Sequence, residues 1–323
     1  MKKLSITIGI AVFLSVISGY AWDIKSQKYR FNSSFTIKEI SNDAKKIEFW
    51  IPCPLGNQYQ SVIKADYDVA GTYSFVTDNK YNNKILHGVC ENDGKGFLKI
   101  NATYEIIRKE WLTGKIMNPG PDKETYPPEV LKYLESSNFA VITPRIKELA
   151  NKITADSKTM RDKAYAIYDY VISNMEYNKA DPGWGKGDSE RACFILKGNC
   201  TDFHSMFNSL ARAVNIPAKF VIGFPVPKKI NAEIRGYHCW AAFYLNNQGW
   251  VPVDTSEAWK NKSKKEYYFG NLDENRIGFT VGRDIILDAK KDRIPLNYFI
   301  YPYVEIDGKA TANIEMSFKS KLL

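Results

Sequence analysis

Gly198-Asn199-Cys200-Thr201-Asp202-Phe203 places a cysteine where a helix begins. From Cys200 or Thr201 to Val214, the apolar residues Phe203, Phe207, Leu210 and Val214 recur at three- and four-residue steps, which predicts a helix with one buried stripe. The first N–H groups of a helix have no partner within it and, with the macrodipole, favour a negative charge beside them. A thiolate is such a charge. A cysteine at a helix start or beside a histidine can have its pKa lowered to roughly 3.5 to 7.5, which supplies a nucleophile at neutral pH. Small Gly198 lets a substrate backbone come close. On its own the hexapeptide fits a buried structural cysteine better than a nucleophile.

Downstream residues supply what such a thiol needs. Gly236-Tyr237-His238-Cys239-Trp240 opens an alternating strand with His238 and Trp240 on one face and Tyr237, Cys239 and Ala241 on the other. Asp254 ends the next strand. With Asn246-Asn247-Gln248 as a three-residue loop and Gly249 absorbing the bulge, Asp254 falls opposite Trp240 and diagonal to His238, on the same face. One residue of slip would turn the carboxylate away. A hairpin can therefore hold His238 between a helix-start thiol and a carboxylate, the nucleophile, base and orienter of acyl transfer. Cys200 attacks a carbonyl, His238 exchanges the proton and Asp254 fixes the imidazole tautomer. His204, one turn beyond Cys200, is a weaker candidate base than a packed helix residue, and His87 is expected to be structural. Glu257 is either a partner of Asp254 or an exposed residue.

The surrounding chain reads as mixed α and β structure. Thr143 caps a helix with Pro144 at its first position and Ile146, Leu149 and Ile153 on one face; a second helix runs from about Ser157 to Met175. A glycine-rich turn, residues 181–188, leads to the Cys200 helix. Strand-like segments follow at 218–223, 237–245 and 250–254, and the chain from about Lys264 is aromatic-rich, with irregular and short-strand segments.

These blocks, Gly198 to Asp202, Arg212-Ala213-Val214-Asn215-Ile216-Pro217-Ala218, His238-Cys239-Trp240 and Gly249-Trp250-Val251-Pro252-Val253-Asp254, resemble the bacterial transglutaminase-like superfamily in order and spacing. The resemblance covers about residues 145–260, and Tyr268-Phe269-Gly270 through Arg276 and Gly282-Arg283-Asp284 look like extended secreted members. It implies an α+β, papain-like core with a Cys-His-Asp triad, carried onto Cys200, His238 and Asp254. Residues 22–116, including Trp50-Ile51-Pro52-Cys53-Pro54, resemble more weakly the small all-β, sandwich-like domain that often precedes this core. The implied division is a signal peptide at 1–21, a β domain at 22–116, a linker at 117–142 and a catalytic domain with its aromatic-rich extension at 143–323.

The triad leaves two fates for a thioester at Cys200. Water gives peptidase or amidase action; a lysine amine gives crosslinking. A tryptophan tunnel typifies the eukaryotic crosslinkers, and here Trp184 and Trp240 are the nearby candidates. No acidic cluster suggests their calcium sites. Hydrolysis of a protein or peptide amide is the leading expectation, with cell-wall peptide among the substrates that present such a carbonyl. Transamidation and a non-catalytic module gripping a glycan or peptide are the alternatives. The second oxyanion donor, beside the Cys200 N–H, is expected from the turn at 185–188.

Within residues 22–116, strands are expected at 47–51, 73–76 and 84–89. Asp93-Gly94 is expected to turn a hairpin into 97–100 and 104–108.

The chain of 323 residues is 44% hydrophobic and 25% charged, which excludes a disordered, collagenous or coiled-coil protein. Lys2 and Lys3, the apolar run from Leu4 to Ile17 and the small residues Gly19 and Ala21 read as an export signal cleaved near Trp22. That run is short for the ~20 residues of a bilayer span. A periplasmic or secreted protein without stable membrane insertion follows. The net charge of +9 is spread along the chain, and the lysines at 260–265 are expected to be a solvated loop rather than a nucleic-acid site. With three histidines and no HExxH, no metal or cofactor is expected. Five cysteines in an oxidising compartment leave one unpaired. With Cys200 free, the expected disulfides are Cys193–Cys239 and Cys53–Cys90.

Overall fold

The computed structural model describes residues 24–114, 125–287 and 294–323. The export segment at 1–21 and the 118–122 part of the expected linker lie outside the described residues. Strand Ser26–Ile37 buries Tyr29, Phe31, Phe35 and Ile37 at a two-residue period, and Leu98–Lys109 does the same with Ile100, Ala102, Tyr104 and Ile106. The two pair antiparallel with Phe31 opposite Tyr104 and Phe35 opposite Ile100. They form the centre of a five-stranded sheet, flanked by Gln60–Asp68 on one side and by Ile314–Leu322 and Asn231–Ile234 on the other. A second five-stranded sheet runs Lys309–Thr311, Tyr303–Ile306, Lys46–Pro52, Lys84–Glu91, Thr72–Thr77. Phe31, Phe35 and Ile100 of the first sheet share one apolar cluster with Phe49, Ile51 and Leu86 of the second, so the sheets face each other across a core.

Two local expectations fail here. Residues 97–100 and 104–108 belong to one unbroken strand, because alternation continues through buried Ala102. Asp93-Gly94 makes no hairpin: Lys84–Glu91 and Leu98–Lys109 lie in different sheets, and the residues between them carry the chain across. The strand Lys46–Pro52 is buried from Ile47 to Pro52 on both faces. Its outer face is covered by the tail, where Trp50 clusters with Ile285, Leu287 and Phe299. The tail thus supplies strands to both sheets.

The remaining half is a helix packed on a sheet. Helix Cys200–Ala213 is buried continuously from Cys200 to Ala211, so it is a central helix with neighbours all round rather than one striped face. It lies against a four-stranded antiparallel sheet of order Gly249–Val253, His238–Leu245, Ala218–Pro225, Arg276–Val281. Helices Pro144–Ile153, Met160–Asn174 and Ser189–Ile195 complete its surroundings. The Thr143 side chain caps the first of these, and the Thr159 side chain, accepting from the Asp162 N–H, starts the second at Met160 rather than near Ser157. Sheet and helix meet the sandwich closely. A Cβ on Gly223 would lie 1.9 Å from the Ile277 carbonyl oxygen, so only glycine fits between these strands.

Candidate active site

Helix Cys200–Ala213 opens with a capping box: Asn199 accepts the Thr201 N–H at 2.8 Å, and the Asp202 carboxylate reaches back to the Asn199 N–H at 2.9 Å. Asp202 also accepts the N–H groups of Gly185 and Gly187, at 2.7 and 3.0 Å. This folds the glycine-rich turn onto the helix start and spends both amides. Gly185 and Gly187 are therefore not the second oxyanion donor expected from that turn.

Leu245 pairs with Gly249, leaving residues 246–248 as the loop, with Gly249 at φ 77°. The register continues to Ala241 opposite Val253 and brings Asp254 beside the first residue of the neighbouring strand. His238 Nε2 lies 2.7 Å from Asp254 Oδ2, and both side chains are buried. The imidazole and the Cys200 thiol act on each other as well, each favouring the other's charged form, and with Nε2 facing the carboxylate, Nδ1 is the nitrogen left for the sulfur. The three residues expected to cooperate, Cys200, His238 and Asp254, thus adjoin in space.

Asp254 is held from four directions. Its Oδ2 accepts from Arg276 Nη1 at 2.7 Å as well as from His238; its Oδ1 accepts from Ser256 Oγ at 3.0 Å and from the Glu257 N–H at 2.9 Å. The last contact caps helix Thr255–Lys260. Glu257 therefore touches Asp254 through its backbone, while its side chain pairs with Lys260. Arg276, itself buried, is shared with Asp273 at 3.0 Å and lies over the Trp240 ring, 5.3 Å from its centroid. Burial pushes the Asp254 carboxyl up, but His238 and Arg276 overcome it and hold it well below the usual range. Burial opposes the imidazolium of His238 too, yet Asp254 and Cys200 raise its pKa to about 9. Cys200 is drawn well below a normal thiol, first by the Cys239 thiol and then, against burial, by His238 and His204. The arrangement favours a thiolate and an imidazolium side by side.

His204 is fully buried. Its Nδ1 donates to the Cys200 carbonyl at 2.7 Å, and its Nε2 accepts the Thr255 N–H at 3.2 Å. Its two ring nitrogens tie the nucleophile helix to the Asp254 corner, where Nε2 also lies 3.5 Å from Asp254 Oδ1, and neither is left for general base work. His87 stacks on Trp50 and contacts Glu48 in the sandwich. Trp240 is buried beside His238, whereas Trp184 stays 39% exposed, so the pair forms no shared enclosure.

All five cysteines are free, which corrects both expected disulfides. Cys239 does point away from His238, but the element covering that face is the start of the Cys200 helix: its sulfur lies 3.8 Å from Thr201 Oγ1 and 3.7 Å from His204 Nδ1. Cys90 pairs with Ile47, while the Cys53 N–H bonds the Lys84 carbonyl at the other end of the same ladder. Six residues of strand separate those positions, roughly 20 Å, against the ~4.4–6.8 Å between Cα atoms that a disulfide requires.

The role of Arg276 beside Asp254, and the contact of Cys239 with the Cys200 helix, escape the sequence reading of the site. Asp273-x-x-Arg276 hints at a local ion pair, but nothing local shows that the strand it opens runs beside Ala218–Pro225. Among the described residues no helix is long and apolar enough to cross a membrane, and no three metal-ligating side chains cluster.

Residues 147–255 match the family model of the transglutaminase-like superfamily. A Haemophilus influenzae protein described as uncharacterized is 30% identical over 317 residues, spanning 87% of this chain and 86% of its own. The uncharacterized YebA of Bacillus subtilis is 28% identical over 135 residues, which is 37% of this chain and 18% of YebA. A solved structure from Cytophaga hutchinsonii, described as a candidate cysteine protease, superposes with a TM-score of 0.63 at 16% identity over 93% of this chain and 91% of its own. The chain belongs to the transglutaminase-like superfamily, with a papain-like α+β core joined to an antiparallel sandwich.

Proposed function

We propose that this protein is an exported thiol hydrolase that cleaves a peptide or protein amide through an acyl-enzyme on Cys200. The thiolate sulfur attacks the carbonyl carbon, and the Cys200 N–H at the helix start is the donor for the resulting oxyanion. His238 gives its Nδ1 proton to the leaving amine as the C–N bond breaks, leaving a thioester. A water then loses its proton to His238, attacks the thioester and releases the carboxylic acid, restoring thiolate and imidazolium. Asp254 holds the ring by Nε2 throughout, and Arg276 keeps Asp254 ionised. The observation that carries this reading is the 2.7 Å contact between His238 and Asp254 with Arg276 behind it. Such a buried charged chain costs desolvation, and packing alone gives no reason for it. The lysine and apolar run before Trp22 supports export to the periplasm or medium, where cell-wall peptide is an available amide.

The test treats purified protein with acyl-donor peptides, with and without a lysine-like amine. Free acid formed in both arms, and lost in Cys200→Ala, is the expected result. Amine-linked product as the main outcome would make the chain a transamidase, and no product with intact folding would overturn the reading.

A further inference from the structure

A cavity of about 480 Å³ lies between the sandwich and the outer face of the site's sheet. Its walls come from both halves: Arg108 and Trp111 from the sandwich side, Lys219, Trp240 and Trp250 from the sheet. Trp240 is a shared wall, with its ring 6.1 Å from that of His238. The cavity thus adjoins His238 across the Trp240 ring.

Its charge is one-sided. Arg108 and Lys219 both line it, and among the described residues that line it there is no carboxylate. Arg108 is 3% exposed; its Nη1 donates to the Tyr59 carbonyl at 3.2 Å and its Nε has no partner. The acid that acts on it, Asp273, is already taken by Arg276 and by the Tyr268 hydroxyl. Lys219 projects over the Trp250 ring with its amine 4.0 Å from the centroid, and among the described residues it has no ion pair. Burial draws this lysine down to about 7, and burial with neighbouring Arg276 draws Arg108 to about 10. Two desolvated basic groups with no carboxylate in the wall are costly to charge, and a bound carboxylate offsets that cost for both. A guanidinium fork suits a planar carboxylate, and the indole walls suit an extended peptide around it.

We propose that this interdomain cavity is a carboxylate-binding subsite, in which Arg108 and Lys219 recognise an acidic peptide lying along Trp240 toward the triad. As a substrate subsite it rests on the hydrolase reading; as an anion site it does not. The carboxylate has two sources, an acidic side chain or a chain terminus.

The experiment is calorimetric titration of the full-length Cys200→Ala protein, so that binding is read without turnover. The probes are Ac-Ala-Ala-Glu-NH2, its Gln counterpart, and Ac-Ala-Ala-Ala with a free C-terminus. At least one charged peptide is expected to bind ten-fold or more tightly than the neutral Gln peptide, and which one does so identifies the source. Lys219→Met and Arg108→Met should each remove most of that preference. Lys219→Met alters only a cavity-wall side chain, so it remains a test if Arg108→Met fails to fold. Equal affinity for charged and neutral probes, or a preference that survives Lys219→Met, overturns the proposal. Tight charged-peptide binding by a protein that shows no turnover with Cys200 intact would instead overturn the hydrolase reading and leave the anion site standing.

Discussion

Replacing Asp254 by Asn removes one buried charge while keeping most of its geometry. Asn retains an oxygen to accept the Glu257 N–H and is itself a good cap for helix Thr255–Lys260. What disappears is the charge that holds His238 protonated. An imidazole raised from 6.5 to about 9 prefers its charged form by about 3 kcal/mol. Without the carboxylate, burial is opposed by Cys200 alone, and the imidazole pKa falls. In the wild-type protein, activity requires the His238 proton and should fall as pH rises through about 9. In Asp254→Asn that limb moves to lower pH, and kcat/KM at pH 7.5 drops about 10²- to 10⁴-fold. The folded state of the wild type also holds a proton that the unfolded chain releases. This stabilisation is complete below 6.5 and lost as pH rises through about 9, so the variant should lose that slope in a pH series of urea melts. Iodoacetamide labelling of Cys200 gives a readout that needs no substrate: rapid at acidic pH in the wild type, it should require higher pH in the variant. An unchanged alkaline limb and unchanged labelling would refute the assignment of Asp254 as the charge behind His238.

Ala in place of His204 leaves the Thr255 N–H unpaired in a dry interior and the Cys200 carbonyl with its helical bond alone, costing about 1–3 kcal/mol in a urea melt. The alkaline limb near pH 9 should persist in the folded fraction; its disappearance would make His204 the base. Gly223→Ala pushes a methyl into the Ile277 carbonyl and should destabilise by about 3 kcal/mol or more, read by thermal melting. Gln60→Met removes both bonds between Gln60 and the Gly278 backbone, and about 2 kcal/mol of lost stability is expected; an unchanged urea midpoint would show that this loop does not clamp the strand. Thiol titration of the unreduced, denatured protein should count five free cysteines; a count of one would restore the two disulfides.

The helix at Cys200, the strand at His238 and the turn before Asp254 are legible in the sequence because each is written in local periodicity. Phe203, Phe207 and Leu210 recur at helical spacing, and the loop length alone fixes which face Asp254 takes. The 12-residue strands Ser26–Ile37 and Leu98–Lys109 carry equally clear alternation, yet their partners lie up to 293 positions away, as for Tyr29 of Ser26–Ile37 opposite Leu322 of Ile314–Leu322. Local pattern does not name a distant partner. For the same reason Cys239 could be placed on the correct face of its strand and still be given the wrong neighbour: alternation says which way a side chain points, and tertiary packing says what it meets.

The groups missed by local reading explain why the site needs the whole chain. Arg276, Asp254, His238 and Cys200 form a line of alternating charge in which each member favours the charged form of its neighbours. The line begins on Arg276–Val281, a strand contributed by the tail and paired with Ala218–Pro225. The Gln60 side chain of the sandwich bonds that strand at both the Gly278 N–H, 2.8 Å, and the Gly278 carbonyl, 2.8 Å. A core of helix and hairpin alone would bury Asp254 and His238 without the guanidinium that keeps the carboxyl ionised. The sandwich and the tail thus contribute to the chemistry by fixing a charge that the triad does not itself contain, and the same interface encloses the cationic cavity beside Trp240.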